Sequence, residues 1–76
     1  MPTITVTVLR NDAPVKGARV ALGVGCIDGT YGPEYTDDDG IAEFDVKDGE
    51  GGDVFVNSSR EGHWGSTGAT DITVEL

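Results

Sequence analysis

Three consecutive aspartates, Asp37, Asp38 and Asp39, sit in the stretch YTDDDG, and metal chemistry is sought there first. Carboxylates packed into a tight turn can converge on a hard cation such as calcium, with Glu34 or a backbone carbonyl in support. The spacing excludes an EF-hand. With Asp37, Asp39 and Gly40 on the third, fifth and sixth loop positions, Tyr35 falls on the first and Val46 on the twelfth, where a carboxylate is needed. Any other calcium site requires about 6–8 oxygens, more than this run supplies. The same residues also suit a connection between antiparallel strands, since Asp side chains bond local amides and Gly40 can take positive φ. The turn is the favoured reading. No cofactor is expected, and a calcium-dependent module using Asp37–Asp39 stands as an alternative.

The aromatic residues are the second candidate. Trp64 lies in SREGHWGSTG between glycines, in what reads as a loop. There it would either stack on a sugar ring, with Tyr31 and Tyr35 as further platforms, or fold back to cap a small core. Capping is favoured, because a chain of 76 residues with one tryptophan has little other large apolar surface to bury. His63 is the one histidine, and it reads as a solvated loop residue. Ser58, Ser59 or Ser66 could be set beside it on paper, but no nucleophile elbow or oxyanion arrangement is suggested. Paired carboxylates carry little information in so acidic a chain. The NSS at Asn57–Ser59 fits a glycosylation sequon, which has meaning only in a eukaryotic secretory setting. The single Cys26 cannot make an internal disulfide and reads as a small buried or half-buried hydrophobe. No enzyme signature emerges.

Charge narrows the class of partner. Fourteen acidic residues stand against 5 basic ones, for a formal net charge of −9, so a nucleic acid would be repelled. The acids are dispersed and alternate with apolar residues, and lysine is confined to Lys16 and Lys47. Such a surface is similar to those of proteins adapted to molar intracellular salt, where the Debye length of about 3 Å screens self-repulsion. An ordinary acidic surface module is the competing reading. No basic leader or membrane-length apolar run is present, so no membrane is expected. A complete gene product of this kind would be cytoplasmic, whereas a module cut from a larger chain would be extracellular.

The elements that must position these residues repeat with a period of two. Ile4, Val6 and Val8 alternate with threonines in TITVTV, and Ala18, Val20, Leu22 and Val24 share one face of ARVALGV, opposite Arg19, Ala21 and Gly23. IAEFDV turns Ala42, Phe44 and Val46 inward and Glu43 and Asp45 outward, while DVFVN sets Val54 and Val56 against a lone Phe55. DITVEL places Ile72, Val74 and Leu76 inward. Another strand is expected from Tyr31 to Thr36, confined by Pro33 to an edge or a bulge. Turn clusters (NDAPVKG, DGTYGP, DDDG, KDGEGG and EGHWGSTG) separate these runs. The pattern predicts one all-β domain over residues 1–76: a β-sandwich of six or seven short antiparallel strands.

The order APVKGARVAL, YTDDDGIAEFDV, a Gly-rich turn, VFV and DITVEL resembles the carboxypeptidase regulatory-like and Cna-B-like group, prealbumin-like (transthyretin-like, Ig-like) β-sandwiches. The similarity rests on the Gly17-Ala18 step and on the Thr36-Asp37-x-x-Gly40 turn before a strand ending in Phe44. It implies a prealbumin-like fold and the turn role for the aspartates. Isopeptide crosslinking, known among Cna-B-like modules, needs a lysine in the first strand, and ITVTVL has none. The transthyretin-like hydrolases need clustered His and Arg, which are also missing. The expected function is therefore a non-catalytic structural or protein-interaction module with an acidic, salt-adapted surface, a carbohydrate-binding module being the alternative. Its partner is a protein or a parent chain, met as a monomer or a weak edge-strand dimer.

Overall fold

The alternation of β-branched residues and glycine-rich turns builds eight strands, β1 Thr3–Arg10, β2 Ala13–Pro14, β3 Arg19–Val24, β4 Thr30–Tyr35, β5 Ile41–Asp45, β6 Gly51–Val56, β7 Ser59–Gly65 and β8 Asp71–Glu75. The computed structural model describes residues 2–24, 29–68 and 70–76, and Cys26 lies outside them. No helix occurs among the described residues, and none is long and apolar enough to cross a membrane.

The strands form two four-stranded sheets. In the first, Thr5–Thr7 of β1 pair with both β5 and β8, so β1 runs between them, and β2 pairs with its end at Leu9 and Arg10. The second sheet has the order β4-β3-β6-β7, antiparallel throughout. The strand count exceeds the expected six or seven because β2 and β7 fall in stretches that read as turns. One pairing departs from the antiparallel expectation, since β8 runs parallel to β1.

Both additional strands follow two-residue turns whose residues all take positive φ: Asn11 and Asp12 (52° and 64°) and Asn57 and Ser58 (51° and 72°). That conformation matches the twist of paired strands, and Asn tolerates it well. The Asn57-Ser58 turn folds β7 back on β6, so Trp64 lies on a strand rather than in a loop. Tyr31 to Tyr35 form the expected edge strand, and the β3–β4 register shifts between Val20 and Leu22, beside Pro33.

The inward residues meet between the sheets. Ile4, Val6, Val8, Val20, Leu22 and Val54 are fully buried, and Phe44, Val46, Val56, Trp64 and Val74 join them. Each such side chain stabilises the fold by about 1.5–3 kcal/mol relative to exposure. Two expectations about faces fail. Ala21, expected outward, is buried because Phe55, its cross-strand partner, covers that face of the second sheet. A Cβ on Gly23 would lie 2.9 Å from Phe55 Cε2, so the ring needs small neighbours there. Leu76, expected inward, follows β8 and is 37% exposed.

Candidate functional site

The aspartate run is a bonded turn. Asp37 Oδ1 accepts from the amides of Asp39 (2.9 Å) and Ile41 (3.0 Å), and the Asp37 amide donates to the Ile41 carbonyl. Asp38 pairs with Lys16 Nζ at 2.9 Å, both side chains being well exposed. Thr36, one residue before the run, is the buried polar anchor. Its hydroxyl accepts from the Ala18 amide and donates to the Val15 carbonyl. Gly40 closes the turn at φ +75°, and its carbonyl accepts from the Val8 amide of β1. Asp37 Oδ1 is thus turned onto the chain's own amides. Among the described residues no group of three or more His, Cys, Asp or Glu side chains is placed to hold a metal ion.

The three aromatics are not brought to one surface. Trp64 is 3% exposed, donates from Nε1 to the Gly23 carbonyl at 3.0 Å and meets the Tyr31 ring edge-on at 6.0 Å. It caps the core between β3 and β7 and offers no open ring face for a sugar. Tyr35 is exposed at the far end of β4. The half-buried Tyr31 donates its hydroxyl to Glu50 and accepts from the Lys47 amide at 3.3 Å. The hydrogen bond to Glu50, then desolvation, raises the phenol above its ordinary value of 10.0, against the opposing bond from Lys47. Glu50 and this network left no sequence signal, because Tyr31 and Glu50 are far apart in the chain. His63 is exposed on β7, paired across the sheet with Asp53, and the Ser66 hydroxyl accepts from the Gly49 amide.

A site the sequence did not single out lies where the two sheets part, between β4 and β5. An open cleft of about 460 Å³ is lined by Tyr31 and Gly32–Glu34 on one side and Glu43–Asp45 on the other. Gly32, at φ +93°, lets β4 close on the Phe44 ring: a Cβ there would fall 2.9 Å from Phe44 Cε2. Among the described residues three carboxylates, those of Glu34, Glu43 and Asp45, line the cleft, and no cation does. Thr3 Oγ1 donates to Asp45 Oδ1 at 3.2 Å, which holds that side chain on the rim.

Among the described residues the backbone along this rim is partly unpaired. Val8 donates to the Gly40 carbonyl and Val46 to that of Pro2, so the even-numbered residues of β5 bond to β1 and the odd-numbered ones point away. At one end Ile41 is bonded in both senses to Asp37. At the other, beyond β5, the Lys47 amide is taken by Tyr31. Between them the N–H and C=O groups of Glu43 and Asp45 face the cleft. The only sequence signal for this rim was the outward setting of these two acids.

No family model matches this chain, and neither a curated protein nor a solved structure matches it.

Proposed function

We propose that the chain is a non-catalytic, prealbumin-like β-sandwich that serves as a structural or protein-interaction module through an unpaired strand edge. The observation that carries this reading is the short open window of Glu43 and Asp45 on β5, bracketed by Ile41 and Lys47, whose outward groups are already bonded. Unpaired ladder groups accept an added strand unless they are covered. Support for the fold comes from the two packed sheets and from the residues that carry the family resemblance. Gly17-Ala18 leads into β3, and the Thr36–Gly40 turn leads into β5 with Phe44 near its end. The acidic surface suits salt-rich surroundings, where its self-repulsion is screened.

Amide hydrogen exchange tests the window. Ala42 and Phe44, bonded to β1, should exchange slowly, and Glu43 and Asp45 fast. Sedimentation at low and at molar KCl then reports pairing between copies, which should be absent at low salt and weak at high salt. Slow exchange at all four amides in a strictly monomeric protein would show the edge to be covered and remove this reading.

A further inference from the structure

We infer that the β5 window takes an extended cationic segment, with Lys or Arg at alternate positions and an apolar residue between them. The inference rests on the edge reading above and adds the chemistry of the partner.

The window presents backbone groups from two residues of one strand, so what fits it directly is another strand. Side chains of an added strand would alternate as those of β5 do. Residues opposite Glu43 and Asp45 would share their solvent-facing side, and those opposite Phe44 would turn between the sheets. On the first side stand two carboxylates, with Glu34 across the cleft. Opposite charges on facing strand positions attract and like charges repel. On the second side lie Tyr31 and the small part of the Phe44 ring that Gly32 leaves uncovered, which suit a small aliphatic side chain.

A second copy of this chain fits poorly. Pairing β5 with β5 would set Glu43 and Asp45 against the same carboxylates, on top of the mutual repulsion of two chains at −9 each. The β4 side of the cleft is a weaker template, because Pro33 has no N–H to offer. The charge complementarity therefore selects a cationic strand on β5. Its long-range attraction would speed encounter, while the ladder bonds fix register.

Two synthetic peptides of equal length test this, one with the repeat Lys-Val and one with Thr-Val, each titrated into the isotope-labelled chain at low salt. The Lys-Val peptide should shift the Glu43 and Asp45 amides saturably and slow their exchange. The Glu43→Gln/Asp45→Asn double variant, which keeps every backbone group, should bind it about tenfold more weakly. Molar KCl should weaken it further. Equal binding of both peptides at β5 would overturn the cationic partner and leave the edge reading standing. Shifts scattered over the acidic surface, with the Glu43 and Asp45 amides still exchanging fast, would overturn the inference as non-specific counterion binding. If neither peptide binds while those amides exchange slowly in the free chain, the edge reading falls as well.

Discussion

Replacing Gly40 by alanine tests whether the turn after the aspartates holds the two ends of the first sheet in register. Gly40 takes φ +75°, and a Cβ there would lie 2.6 Å from the Val8 carbonyl oxygen, 3.1 Å from Pro14 Cβ and 3.1 Å from the Val15 amide nitrogen. Two of these atoms are backbone, which cannot rotate aside. Gly49 is the internal control: its φ is +84°, with nothing within 4 Å of the Cβ position. Both substitutions impose the left-handed conformation on alanine, at about 1–2 kcal/mol, offset by about 0.4–1 kcal/mol from a stiffer unfolded chain. Gly49→Ala should therefore cost about 1 kcal/mol. Gly40→Ala adds overpacking of about 1–3 kcal/mol. It also disturbs the 2.7 Å bond from Val8 to the Gly40 carbonyl, worth about 1 kcal/mol. The two variants should differ by about 2–4 kcal/mol. A chain of 76 residues has about 4–11 kcal/mol in all, so Gly40→Ala should be close to unfolding. Urea unfolding in molar KCl, followed by Trp64 fluorescence, measures both midpoints. At a slope of about 1 kcal/mol/M they should lie about 2 M or more apart. Equal midpoints would refute the close approach of β1, β2 and the turn.

Three further outcomes follow from the same geometry. Asp37→Ala removes the acceptor for two amides and should cost about 1–2 kcal/mol, whereas Asp37→Asn keeps an acceptor oxygen and should cost less; equal losses by urea titration would mean the charge, not the acceptor, matters. Because the fold raises the Tyr31 phenol above 10.0, its contribution to stability should be level below about pH 10 and fall above it, as the unfolded chain ionises first. Tyr31→Phe should reduce that alkaline loss, as read by unfolding at a series of pH values with tyrosinate absorbance alongside. Stability should rise steeply from dilute buffer towards molar KCl as repulsion among the acids is screened, and a flat midpoint would remove salt adaptation.

The strands that the sequence made legible are those in which one face is buried and the other wet. In β1, β5 and β8 a period of two is written directly in Ile4–Val8, Ala42–Val46 and Ile72–Val74. β7 was hidden because SREGHWG carries one large apolar residue, and its strand character comes from pairing with β6 through the Asn57-Ser58 turn. The same blindness put Trp64 in a loop, though its capping of the core followed from size alone. Glycines at 51 and 52 read as turn, yet they are strand residues. Gly52 pairs with Trp64, and a Cβ on Gly51 would sit 2.9 Å from the Trp64 carbonyl oxygen. The cleft between β4 and β5 was illegible for a different reason. Neither its volume nor the direction of the Glu43 and Asp45 amides is a property of one strand. Both depend on which neighbour β5 has and which side it lacks.

That dependence also explains why the rim can carry acids at all. An unpaired edge is a liability in a chain able to meet its own copies, and proline or charge on the edge strand is a usual guard. β4 has the proline at position 33, and β5 has Glu43 and Asp45. Charge differs from proline in one respect: it blocks only partners of the same sign. On the proposed reading, the carboxylates that would keep two copies apart would leave the ladder groups of β5 available to a cationic strand, so self-avoidance and selectivity would have one physical origin. Salt then separates the fold from the contact. Raising it would relieve repulsion within the sandwich while weakening the attraction that would bring the proposed cationic segment to the edge. A chain built this way should be most stable where it binds least tightly, with the backbone hydrogen bonds of the window left as the part of the interaction that salt does not screen.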